Sequence, residues 1–225
     1  ESIGVRFGQN LNAYTSIEET VYNISDVPLI RESVVDSCLL ILHDWANDLT
    51  LAEEEIDSER GVIHEEWRSR QNATMRIYDQ ILPKCYQGEK YAYRMPIGVM
   101  EVVDNFPYQA LRDYYEKWYR PDQQGIIVVG DIDVDKIEAK IKEIFSSIEM
   151  PKNPAVREYL PVSDNKEPII AYGKDKEFTS TAVQIYYKHP AFPHDQKNTV
   201  QYMVQNYMIS MACRMLNGRL SEMTQ

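Results

Sequence analysis

No apolar run in this sequence approaches the ~20 residues that a membrane-spanning helix needs, so no spanning segment is expected. Glycine is scarce at 9 residues and the 11 prolines are scattered, which excludes collagen-like and low-complexity classes. The three cysteines, Cys38, Cys85 and Cys213, are far apart, odd in number and contain no CxxC pair. That pattern excludes a disulfide framework and a zinc knot, and they read as buried thiols. Basic residues are too few: 24 stand against 35 acidic ones, a net charge of −11. Such a chain repels polyphosphate, and nucleic acid is not expected as a partner. The opening Glu1-Ser2-Ile3-Gly4 has no initiator Met, basic n-region or apolar h-region, so the chain reads as an excised segment.

What is present suits a packed chain of one or two domains in 225 residues. Hydrophobic residues make up 44% and charged residues 26%, with 16 Tyr among the aromatics, so disorder is excluded. Residues 12–24 (NAYTSIEETVYNI) predict two strand pieces around a turn near Ser16–Glu18. From Arg31, apolar residues from Val34 to Leu49 recur at three- and four-residue steps and predict an amphipathic helix.

Thr50-Leu51-Ala52-Glu53 has the form of a capping box opening a second helix to about Gln71. Residues 83–98 read as loop. Further helices are predicted at 108–118, after Asp133, and at 200–216, the last with a Met stripe read as core filler. Residues 124–131, 169–172 and 181–187 are expected as strands. Four prolines among charges mark 148–168 as a linker. The fold expected is α+β, with residues 1–147 as one domain and 169–225 as the start of a second, similar one.

Few residues offer chemistry. There is no Gly-rich phosphate loop and no GxSxG nucleophile elbow. His43, His64, His189 and His194 form neither HExxH nor HxxEH, and each reads as a surface or locally satisfied imidazole. Glu59 and Glu66, seven apart on one predicted helix, share a face about 10 Å apart along its axis. An isolated pair of this kind is usually a solvated face.

Ser58-Glu-Arg-Gly-Val-Ile-His-Glu-Glu-Trp-Arg68 resembles the second helix of the pitrilysin/insulinase family of zinc peptidases, in which it follows the HxxEH helix. Three further stretches resemble the family in the expected order. They are Gly8 to Tyr22 with its Asn-Ala-x-Thr-Ser run, Tyr115 to Asp131 with Tyr-Arg-Pro and a following strand, and Met215 to Leu220.

The resemblance implies a pitrilysin/mitochondrial processing peptidase-like metallohydrolase fold, a sheet with helices on one face. It implies a zinc metalloendopeptidase in which Glu66 is the third zinc ligand and Glu59 a supporting acid. Asn12 and Ala13 would lie on the strand edge where substrate adds as an extra β-strand. In the family, HxxEH precedes the ligand Glu by roughly seventy to eighty residues, which places both His ligands and the general base upstream of Glu1. The first domain would thus lack its first strands and its HxxEH helix.

The chain alone is then expected to bind no catalytic zinc, to be inactive, and to self-associate through an exposed sheet edge. Its expected partners are a peptide or protein substrate and the partner half-domains of the same or a sister chain. The alternative is a non-catalytic family member serving as an assembly or substrate-binding subunit. Bacterial relatives suggest the cell envelope or periplasm.

Overall fold

The computed structural model describes residues 4–6 and 8–223, with the side chain of His194 outside the described set. Two compact units divide at Thr179/Ser180. The first opens with an antiparallel hairpin, β1 (Leu11–Thr15) and β2 (Thr20–Ile24). Leu11 faces Ile24 and Ala13 faces Tyr22 in its register. The Ser16 N–H donates to the Glu19 carbonyl at 2.8 Å, closing the turn.

Five helices follow the hairpin in the first unit. They are α1 (Glu32–Asn47), α2 (Glu53–Arg70), α3 (Ala73–Cys85), α4 (Met100–Asn105) and α5 (Tyr108–Trp118). The sixth, α6 (Val134–Phe145), begins where the sequence predicts, with the Asp133 carboxylate accepting from the Lys136 N–H at 3.1 Å. Val5, Leu11, Val34 and Cys38 form a buried cluster, joined by Ile24, Val27, Ile41 and Trp45, so the hairpin packs one face on α1. Tyr22 continues that contact. Its ring lies 5.4 Å from that of Trp45, and its hydroxyl meets that of Tyr119 at 2.6 Å. The result is α+β, as expected from sequence.

Several local expectations are corrected. The Thr50 capping box does not form, because Leu51 adopts φ 46° and the N-cap is Ala52. Arg112 of α5 donates to the Leu51 carbonyl at 3.1 Å and lies 3.7 Å from Glu53, so the start of α2 is tied to α5 instead. Residues 73–85, part of them expected as loop, form α3, capped by Asn72 accepting from the Met75 N–H at 3.1 Å.

Residues 124–131, 169–172 and 181–187 are not strands. A strand needs a neighbour for its N–H and C=O groups, and no described strand flanks them. Ile127 and Val129 are accordingly 87% and 90% exposed rather than buried. Of the cysteines only Cys38 is buried; Cys85 is half-buried and Cys213 exposed.

Residues 148–168 run over the first unit. Arg120, itself buried, donates to the Ala155 carbonyl at 2.6 Å, and the Tyr91 hydroxyl donates to that of Leu160 at 3.2 Å. Residues 172–177 lie on α3. Arg76 binds Asp175 through two hydrogen bonds of 2.7 and 2.8 Å, and Lys84 donates to the Tyr172 carbonyl at 2.9 Å. Gly173 sits so close to Ile77 that a Cβ there would stand 3.1 Å from its side chain and 3.2 Å from its carbonyl oxygen.

The second unit contains a short 3-10 turn (His194–Gln196) and α7 (Val200–Glu222). The methionines of α7 are not core filler, since Met203, Met208 and Met215 are each more than 60% exposed. No described strand and no second α-helix of that unit exists to cover them.

Candidate functional site

The free edge of β1 is built by antiparallel alternation. Ser25 N–H donates to the Asn10 carbonyl at 2.9 Å at one end of the ladder, and the Ser16–Glu19 bond closes the other. Residues 12 and 14 therefore bond to β2, while the N–H and C=O groups of Leu11, Ala13 and Thr15 point outward. Leu11 spends both groups on the preceding turn, donating to Arg6 and accepting from Gly8. Ala13 is thus the first residue on that edge whose carbonyl and N–H face outward beyond the turn. Its N–H is held by the Asn12 side-chain oxygen at 2.9 Å. Both residues are exposed, and no described strand covers them. Tyr22, opposite Ala13, anchors this edge to α1 and α5, and burial pushes the Tyr119 hydroxyl that bonds it well above the usual phenol range.

Helix α2 carries the carboxylates. Its packed side is fixed by Ile56, by Arg60 and by His64. The Arg60 guanidinium grips the carbonyls of Val103 and Phe106 and stacks 4.0 Å over the Phe106 ring. His64 meets Asp104 at 2.6 Å. Helical geometry places Glu59 and Glu66 together, roughly 100–120° round from Arg60, at the border of the packed side. Glu59 is exposed and Glu66 half-buried. Glu66 pairs with Arg70 at 2.5 Å and Glu65 with Arg68 at 2.5 Å. Tyr108 and Arg60 both bond Asp57 and hold its carboxyl below the usual range.

A catalytic zinc needs three protein ligands. Glu66 suits one of them, an anionic oxygen at a half-open surface, but among the described residues no group of three ligand-type side chains includes it. His64 is committed to Asp104, and the His189 Nδ1–H donates to the Pro190 carbonyl at 2.9 Å. The grouping that does exist is His43, Asp44 and Asp48. Sequence reading passed over it; the signal was a His-Asp pair followed four residues later by a second Asp, at the end of a helix.

The chain matches the family model "Insulinase (Peptidase family M16)" over residues 3–95 and "Peptidase M16 inactive domain" over residues 105–220. The chain belongs to peptidase family M16. Among curated relatives it is 35% identical over 226 residues to the probable zinc protease PqqL of Escherichia coli, covering all of this chain and 24% of that protein. It is 31% identical to a zinc protease PQQL-like protein of Arabidopsis thaliana, again over its full length but 23% of the relative. The M16 chain described here therefore spans about a quarter of the curated relatives it matches. Among solved structures, the first half of the periplasmic protease PqqL from Escherichia coli superposes with a TM-score of 0.67 at 37% identity. That match covers 73% of this chain and 35% of the other. No described helix of the M16 chain is long and apolar enough to cross a membrane.

Proposed function

We propose that the protein to which this chain belongs is a zinc-dependent endopeptidase, with Glu66 as one of three protein ligands to the metal. In this reading the two histidine ligands and the general-base Glu lie in sequence preceding Glu1. The observation that carries the reading is the family match across residues 3–95, together with the position of Glu66 on α2. A catalytic zinc, when bound, polarises the scissile carbonyl and makes its water a nucleophile at neutral pH.

The chain's own residues do the rest. Glu66 contributes a negative charge, and releasing it from Arg70 costs little, because both partners are substantially exposed (41% and 62%) and such pairs contribute ~0–1 kcal/mol. Glu59, two turns earlier on the same face, orients a neighbouring ligand or bound water. Ala13 offers its outward N–H and C=O to an extended peptide, and Asn12 releases the N–H it now holds as the substrate strand adds. Main-chain recognition of this kind accepts many sequences.

Residues 1–147 serve as the peptidase domain and 148–168 lead out of it, with the compact unit from Ser180 falling inside the stretch read as the start of a second domain. A peptide or protein substrate and the remaining half-domains are its partners, and by itself the chain is inactive. A periplasmic or envelope location is supported by the Escherichia coli relative, which is described as a periplasmic protease.

The alternative, a non-catalytic subunit, draws on the match of residues 105–220 to the inactive-domain model. Retention of both Glu59 and Glu66 favours the enzyme. Cleavage of a quenched fluorescent peptide by the intact protein, abolished by a zinc chelator and restored by zinc, is the expected result. Chelator-insensitive cleavage, or none by the zinc-loaded protein, would overturn the proposal.

A further inference from the structure

The last turn of α1 and the residues after α6 meet at His43. This histidine is 9% exposed, and its Phe145 neighbour packs edge-on at 5.4 Å. Ser147 pairs with one of its nitrogens. With the Ser147 hydroxyl donating to the Ile144 carbonyl at 3.1 Å, its oxygen accepts from His43 Nε2–H, also at 3.1 Å. In the neutral ring Nδ1 is therefore left with a bare lone pair. That atom is fully buried and makes no hydrogen bond. It is aimed at carboxylates, 3.3 Å from Asp48 Oδ2 and 3.7 Å from Asp44 Oδ1. The other oxygen of Asp48 accepts from the Asn47 amide at 3.0 Å, which turns Oδ2 toward the imidazole.

An imidazole lone pair and two carboxylate oxygens this close repel each other unless a cation or a proton stands between them. No lysine or arginine pairs with Asp44 or Asp48 among the described residues. The three ligand atoms lie within 4.8 Å of one another. Zinc bonded to nitrogen and oxygen at ~2.1 Å in a tetrahedron sets its ligands about 3.4 Å apart, close to the 3.3 and 3.7 Å that separate Nδ1 from the two carboxylate oxygens. Ser147 supports the imidazole as a hydrogen-bonded partner supports a metal-bound histidine. Both carboxylates are about half exposed, which leaves a path for the ion and room for water as a fourth ligand.

We infer that His43 Nδ1, Asp44 and Asp48 form a site for a divalent transition ion of the zinc type, sharing no residue with Glu59 or Glu66. The competing occupant is a proton on Nδ1 paired with Asp48.

Equilibrium dialysis of the intact protein at pH 7.5 separates the two. Wild type is expected to hold one more zinc per chain than an Asp44→Asn/Asp48→Asn double variant, with peptide cleavage unchanged. Asp48→Asn alone, at an exposed position where folding is not at stake, is expected to weaken the extra site by at least the ~10–100-fold that supporting residues cost. With Co2+ as the probe, the visible absorption of this site should vanish in the double variant and persist in Glu66→Gln. Equal zinc in wild type and double variant would overturn the inference and assign the position to a proton. Loss of the extra ion in Glu66→Gln alone would overturn it too.

Discussion

At the scale of single residues, the side chains that hold the structure together reach far along the sequence. Arg60 binds two backbone carbonyls more than forty positions away, with only 15% of its side chain exposed. Arg60→Leu should destabilise the first unit by about 3 kcal/mol or more, since hydrogen bonds from charged groups contribute ~1.5–3 kcal/mol each and two are lost. The exposed neighbour Arg68→Leu should stay within about 0.5 kcal/mol, both read by urea denaturation. Arg76 makes a second long reach, and its hydrogen bonds hold the Asp175 carboxyl down to about 2 from an ordinary 3.8. The folded value is depressed, so this contribution is complete above pH ~4 and fades as pH falls through about 2. The urea midpoints of wild type and Asp175→Asn should therefore differ at pH 5 and converge near pH 2. A constant offset across that range would disprove the linkage. None of these pairs was legible in the sequence, because hydrogen bonds across forty to a hundred residues leave no periodic trace. Glu59, Glu66, Asn12 and Ala13 were singled out through family resemblance; their spacing alone suggests only a solvated face and an exposed strand.

At the scale of elements, legibility followed local chemistry. Helix α1 lies where apolar periodicity puts it, α2 and α5 cover the ranges expected of them although the cap expected to open α2 does not form, and α6 starts at its Asp133 cap because that bond spans three residues. α3 was hidden by Pro83, which breaks helices in their interior but sits here in the final turn, where little of the ladder remains to disrupt. The strand expectations at 124–131, 169–172 and 181–187 failed for the opposite reason: β pairing depends on a partner elsewhere, which a local run of Ile and Val does not reveal. In the hairpin the partner lies next door, and it forms. Its register makes a sharp prediction for the β1 edge. Ala13→Pro removes an outward N–H while leaving the bonds to β2 intact, so the fold should survive. KM for an extended peptide should rise about 2–10-fold, the share of one hydrogen bond, with kcat little changed. An unchanged KM would move the substrate to another edge.

At the scale of the whole molecule, apolar surface without cover stands out. Ile170, Val183, Tyr187, Ile127 and Val129 are each more than 80% exposed, and Val200, Met203 and Tyr207 of α7 more than 60%. Patches of this kind seek partners, so the 225-residue chain by itself should self-associate, and light scattering should report a mass above 26.3 kDa. A clean monomer at high concentration would contradict that. The central claim concerns Glu66, and zinc content tests it most directly. In the intact protein the zinc that supports cleavage should be lost in Glu66→Gln, since the uncharged amide is a poorer ligand. It should persist in Glu65→Gln, whose side chain points about 100° away around α2. Elemental analysis showing that Glu66→Gln keeps that zinc while Glu65→Gln loses it would contradict the account.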